Sequence, residues 1–330
     1  MKSNRPDGAP SDRLLVIAAG AVTVLAATAA LVARSARASE HAHPPTGRFV
    51  EVDGVRLHYV ERGSGPPVVL LHGNGVMAQD WEVSGVLDAL AANHRVIAFD
   101  RPGYGYSERP RGTVWTPVAQ ADLISAALAQ LGVVRPTVVA HSWGTLVALA
   151  LALDHPADVE RLVLLSGYYF PSLRLDVPLQ GAPATPLLGD LLRYTISPVV
   201  GRLMSPLLVK QLFAPAPVPE RFARFPLSMT LRPSQLRASA EEAVLMVPSA
   251  MLLQARYGEL RLPVSIIAGS GDLIANPSAQ SNRLAHLLFE RDADLVEGAG
   301  HMVHYFAPER VVAAVTARPA PAPADDLAVV

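Results

Sequence analysis

The chain has no cysteine, and its 28 basic residues include only two lysines, Lys2 and Lys210. Without thiols there is no disulfide framework, thiolate zinc site, iron–sulfur cluster or cysteine nucleophile. The arginine excess reads as compositional bias rather than function. Charge is sparse: 17% of residues are charged and the net charge is -1, against about 25% charged in an average soluble protein. A chain this close to neutral lacks the basic face that neutralises phosphates, which excludes general nucleic-acid binding. What the chain has is apolar material. Half of it is hydrophobic and its mean hydropathy is +0.27, which excludes a disordered chain. Its 330 residues allow one large domain or two small ones, enough to bury about three quarters of the unfolded surface.

Leu14–Val32 is a 19-residue run without charge, long enough as a helix to cross ~30 Å of hydrocarbon. Lys2, Arg5 and Arg13 precede it, and Arg34 and Arg37 follow. Two readings stand for residues 1–38: a retained membrane anchor, which the run length fits, and a cleaved signal peptide, for which Ala36-Arg37-Ala38 is a small-x-small site. Both place the folded domain at or beyond the membrane, anchored or exported. The basic flanks are alike, so orientation is not read. Residues 39–47, with His41-Ala-His-Pro-Pro-Thr46, read as a solvated linker.

Beyond the linker the chain alternates strands and helices. Asp53-Gly54 between Phe49–Val52 and Val55–Glu61 signals a hairpin. Val68–Leu71, Val96–Phe99 and Leu162–Leu165 are wholly apolar and Thr137–Ala140 is apolar after its threonine, the pattern of strands buried on both faces. Helical patterns fall at Trp81–Ala91, Pro117–Leu131 and Gly144–Asp154. Val264–Ala268 and Asp294–Glu297 resume the strands, with helices near Ser278–Leu288 and Pro308–Ala317. The expectation is an α/β fold with a mostly parallel central sheet, helices on both faces and an antiparallel edge from the hairpin. The core is 48–167 and 262–317. Residues 168–261 break the rhythm with many prolines, which interrupt helices and ladders. Their short apolar pieces, Leu187–Tyr194, Val199–Leu212 and Phe222–Leu231, predict a helical lid over the sheet. The Pro/Ala-rich tail, 318–330, reads as unstructured.

The chemistry centres on Thr137-Val-Val-Ala-His-Ser-Trp-Gly-Thr145. A buried strand runs into Ser142 and a helix follows at once, with Ala140 and Gly144 two positions to either side. A nucleophile on a sharp strand-to-helix turn needs small neighbours there. The turn also aims the next N–H, that of Trp143, toward a carbonyl under attack. The segment resembles the nucleophile elbow of the α/β-hydrolase superfamily, with Ala140 in place of the first glycine.

Three further motifs stand where that family carries its own. Leu71-His72-Gly73-Asn74-Gly75 is similar to the turn that completes the oxyanion hole, which implies the Asn74 N–H as partner of the Trp143 N–H. His72 reads as a structural turn residue. Asp100-Arg-Pro-Gly-Tyr-Gly-Tyr-Ser107 is similar to the family's glycine-rich loop, a structural turn in which Asp100 is not catalytic. In Gly269-Ser-Gly-Asp272 and Glu297-Gly-Ala-Gly-His301, the order Ser, Asp, His implies Asp272 as orienting acid and His301 as base. Asp292 and Asp294 precede their strand. His141 reads as packing, and His94, His155 and His286 as surface or helix-end residues. His304, three positions after His301, has no carboxylate or further histidine to complete a metal site.

The resemblance spans residues 48–317 and implies its serine branch, esterase- or lipase-like. Epoxide hydrolases and haloalkane dehalogenases of this fold use aspartate where this chain has Ser142. The implied activity is hydrolysis of a carboxylic ester of a small apolar substrate through an acyl-enzyme, without metal or organic cofactor. Acyl transfer, thioester or carbon–carbon hydrolysis, cofactor-free haloperoxidation and a non-catalytic binding role on the same fold remain alternatives. Oligomeric state is not read.

Overall fold

The computed structural model describes residues 10–174 and 176–317. The expected tail 318–330 and the basic residues Lys2 and Arg5 lie outside the described residues. Eight strands form one sheet: β1 (Arg48–Val52), β2 (Val55–Arg62), β3 (Pro67–Leu71), β4 (Arg95–Phe99), β5 (Thr137–His141), β6 (Arg161–Leu165), β7 (Val264–Gly269) and β8 (Asp294–Val296). Their order is β1-β2-β4-β3-β5-β6-β7-β8. The pairs β1–β2 and β2–β4 are antiparallel and all the others parallel.

The helices are α1 (Pro10–Ala42), α2 (Gln79–Ser84), α3 (Val86–Ala91), α4 (Pro117–Gln130), α5 (Gly144–Asp154), α6 (Val177–Gly181), α7 (Leu188–Tyr194), α8 (Ile196–Phe213), α9 (Leu227–Thr230), α10 (Pro233–Gln254), α11 (Arg283–Phe289) and α12 (Pro308–Thr316). Alternate strand residues face opposite ways, and this divides the core in two. Val69, Leu71, Phe99, Val138 and Ala140 pack with α4 and α5. Val68, Leu70, Val96, Ala98 and Val139 pack with α3 and α12. Wholly apolar strands are what a sheet covered on both faces requires. Helix α4 begins where Thr116 Oγ1 accepts the Ala119 N–H at 3.1 Å, with Pro117 at its first position.

The structure departs from the sequence expectations in four places. The expected helix Trp81–Ala91 is two helices, because Gly85 takes a left-handed conformation (φ 84°) that ends α2. Helix α1 continues to Ala42, into the stretch expected as linker, and Glu40 ion-pairs with Arg232 at 2.9 Å. The piece Phe222–Leu231 is a 3₁₀ turn, Glu220–Arg224, followed by the short α9. The 22-residue α10 lies within the expected helical lid but outside its three apolar pieces, and is longer than any of them. It starts at Pro233 and contains Pro248. Proline costs a helix one hydrogen bond and some strain, and the buried Ala238, Ala243, Ala250 and Leu253 hold α10 in place.

Candidate active site

Strand β5 hands the chain to α5 through Ser142, whose φ of 51° is the left-handed region. Its N–H continues the sheet ladder to the Leu165 carbonyl at 2.9 Å, while its own carbonyl accepts the Thr145 N–H at 3.0 Å. One residue thus ends a strand and starts a helix, and pushes its side chain out of the turn. The approach is close. A methyl group at Gly144 would lie 2.6 Å from the His72 carbonyl oxygen, and one at Gly73 would lie 3.0 Å from Ser142 Cβ. Ala140 sits fully buried in β5.

His301 follows β8 and Asp272 follows β7, so both reach the same edge of the sheet as Ser142. Ser142 Oγ donates to His301 Nε2 at 2.8 Å. His301 Nδ1 donates to Asp272 Oδ2 at 2.8 Å. The other carboxylate oxygen of Asp272 accepts the N–H groups of Ile274 and Ala275 at 2.8 and 2.9 Å. These bonds fix the tautomer of His301, with the proton on Nδ1 and the lone pair of Nε2 facing the serine. Asp272 and His301 are buried and Ser142 is half-buried. Asp292 and Asp294 are elsewhere, against His286 and Arg310.

Asn74 and Trp143 flank the serine. Neither backbone N–H donates to another group among the described residues. The Asn74 side chain is engaged, donating to the Ser239 carbonyl of α10 at 3.0 Å. The Trp143 indole donates to the Glu242 carbonyl at 3.0 Å. Both backbone N–H groups are therefore without an internal acceptor, on residues whose side chains are held by α10.

The turn beneath is rigid and neutral. His72 Nε2 accepts the Arg101 N–H at 2.9 Å and Nδ1 donates to the Gly73 carbonyl at 2.7 Å. Burial and the Arg101 charge push its pKa down to about 3. Asp100 is a strut: Oδ2 accepts from His58 Nδ1 at 2.7 Å and Oδ1 from the Ala78 N–H at 2.8 Å. His141 is buried and donates from Nε2 to the His301 carbonyl at 3.0 Å. Burial and the neighbouring His304 and His301 hold its pKa well below the ordinary histidine value.

Two groupings escaped the sequence reading. His304 does gain a carboxylate and a second histidine: Asp80, His141 and His304 bring ligand-type atoms within 4.8 Å of one another. Each carboxylate oxygen of Asp80 accepts a hydrogen bond, from His304 Nε2 at 2.9 Å and from the Tyr305 hydroxyl at 2.8 Å, and so the grouping ties α2 to the loop after β8. The second is Arg101 with Glu242. Arg101 donates to the carbonyls of His72 and Gly73 at 2.7 and 3.1 Å and to both oxygens of Glu242. Gln120 and Tyr104 complete the Glu242 shell. No local pattern announces a pair 141 positions apart.

Comparison with known proteins agrees with this architecture. The chain is 37% identical over 131 residues to 2-hydroxymuconate semialdehyde hydrolase from Pseudomonas sp. (strain CF600). That match takes in 39% of this chain and spans about half, 46%, of that relative's length. Haloalkane dehalogenase 2 from Mycobacterium bovis (strain ATCC BAA-935 / AF2122/97) is 26% identical over 295 residues, covering 84% of this chain and 96% of that protein. An alpha/beta hydrolase fold protein from Burkholderia ambifaria superposes with a TM-score of 0.67 at 27% identity, over 82% of this chain and 97% of that one. Residues 66–308, from the start of the parallel sheet to the start of α12, match the alpha/beta hydrolase fold model. With that match on a sheet of this order, the chain belongs to the alpha/beta hydrolase fold family.

Proposed function

We propose that the protein is a serine hydrolase that cleaves a carboxylic ester of an apolar substrate through an acyl-enzyme. The observation that carries this reading is the unbroken Ser142–His301–Asp272 chain, with 2.8 Å at each link. His301 Nε2 takes the Ser142 proton as Oγ attacks the acyl carbon. The oxyanion is held by the N–H groups of Asn74 and Trp143, the latter at the start of α5 where negative charge is favoured. Collapse of the intermediate expels the alcohol, which takes the proton from His301. Water then gives a proton to His301 and attacks the acyl carbon, releasing the acid and restoring Ser142. Asp272 holds the imidazole orientation and stabilises its charged form. Serine at 142 separates the chain from family branches with an aspartate nucleophile, despite the likeness to a haloalkane dehalogenase. Residues 168–261 act as an apolar cover, with α10 bonded to both oxyanion residues. We read α1 as a retained anchor, because Val32 and Ser39 are buried against the folded body.

The identity to 2-hydroxymuconate semialdehyde hydrolase favours a second reading, in which the same serine hydrolyses a substrate of that kind. A fluorophosphonate probe followed by a substrate panel tests both. Ser142 should carry the label and Ser142→Ala should not. Absence of label sinks the serine mechanism. Turnover of 2-hydroxymuconate semialdehyde without turnover of any ester moves the assignment to the second reading.

A further inference from the structure

Helix α8 is 18 residues long and only Phe213 of it is buried. Ile196, Val199, Leu203 and Leu207 are exposed, Leu203 by 74%. At 100° per residue these four fall on one side of the helix. Helix α7, packed on α8, adds the exposed Leu188 and Leu191. An apolar face of this extent is uncommon on a protein surrounded by water.

Beside it stands α1, the one helix among the described residues long and apolar enough to cross a membrane. Helix α1 packs on α7 and α9, and is tied further by Glu40 to Arg232. Its inward stripe runs Ala29, Val32, Ala36, Ser39. The apolar run Leu14–Val32 is about 28 Å long as a helix, barely the ~30 Å of a hydrocarbon core. To span, it must use its whole length, including Ala29 and Val32, where α1 already lies against the folded body. The bilayer surface then meets the body at α7 and α8. The charges agree. The only charged residues of α8 are Arg202 and Lys210, and α1 leaves its apolar run through the exposed Arg34 and Arg37. Cations bordering an apolar face suit anionic headgroups.

We infer that the α7–α8 face is seated in the lipid of the membrane that α1 crosses, so that the body lies on the bilayer rather than tethered above it. The inference rests on α1 as anchor and is independent of the Ser142 chemistry.

The absence of cysteine makes the test direct. Single cysteines are placed in the full chain by Leu203→Cys, Leu207→Cys, Val22→Cys in α1 and Val134→Cys. Val134 is 75% exposed and precedes β5, at the opposite end of the sheet. Each variant carries a polarity-sensitive dye and is reconstituted into phosphatidylcholine–phosphatidylglycerol vesicles. Brominated acyl chains should quench the dyes at 203, 207 and 22, and iodide should quench the dye at 134 alone. Quenching by lipid at 22 with free access of iodide at 203 and 207 overturns the inference and leaves α1 a simple tether. Shielding at 203 from both quenchers, with excimer emission from pyrene labels, makes the face an interface between copies and overturns it too. No lipid quenching at 22 removes the anchor reading together with the inference.

Discussion

Arg101 and Glu242 form an ion pair at 2.5 Å with neither side chain exposed to solvent. One stands in the loop after β4, the other in α10, and between them they clamp the turn that carries Asn74. Removing one partner of such a pair strands a buried charge, at a cost of about 3–5 kcal/mol, whereas replacing both by apolar residues costs far less. Glu242→Met should therefore lower unfolding free energy in urea more than Arg101→Met with Glu242→Met together. A Glu242→Met protein as stable as the parent would show that the pair does not hold α10 to the core.

Asp272→Asn tests the orientation of His301. The asparagine oxygen still accepts from Ile274 and Ala275, so its amide nitrogen faces His301 Nδ1. That forces the proton to Nε2, where it points at Ser142 and blocks proton transfer. The expected loss in kcat is on the order of 10⁴ with an unchanged melting temperature. Full activity in this variant would remove Asp272 from the mechanism.

Gly144→Ala should distort the site from its backbone. The new methyl would meet the carbonyl oxygens of His72 and Leu71 at 2.6 and 2.7 Å, and neither is free to move, because Arg101 and the β3 ladder hold the turn. A stability loss of roughly 1–3 kcal/mol is expected, together with a fall in kcat as the Asn74 N–H shifts. Ala140→Gly restores the family's glycine within β5 and should keep activity, at a cost of about 0.5–1 kcal/mol in strand stability. Calorimetry and ester turnover on the two variants separate these outcomes.

Stability should fall with acid before the carboxylates titrate. His72 has its pKa pushed from 6.5 to about 3 in the folded state, and His141 is shifted the same way. The unfolded chain therefore takes up protons that the folded one refuses. Stability is full above pH 6.5 and declines as pH falls toward 3, at about 1.4 kcal/mol per pH unit for each histidine. Urea midpoints across that window check the slope. His72→Gln should flatten it by one proton's share, and an unchanged slope would mean that His72 is charged in the folded protein.

Much of the core and of the candidate site could be read before folding, because the signals are local. Apolar runs four residues long at Val68–Leu71 and Leu162–Leu165 demand cover on both faces. Asp53-Gly54 turns a hairpin, and Ala140 and Gly144 leave room for a serine on a tight bend. Ser142, Asp272 and His301 each stand just after a strand, β5, β7 and β8 in turn, and that placement is visible along the sequence. What was not legible depends on residues far apart in the chain. The Arg101–Glu242 pair, the Asp80–His304–Tyr305 strut and the tether from His141 to the His301 carbonyl need strands and helices to be in place before their atoms meet. Helix α10 hid behind Pro233 and Pro248, since a proline's local penalty is visible in sequence while the packing that outweighs it is not. The same holds for α8. Its sequence pattern reads as apolar and buried, and only the tertiary structure decided that its leucines face outward, beside the helix long enough to cross a membrane.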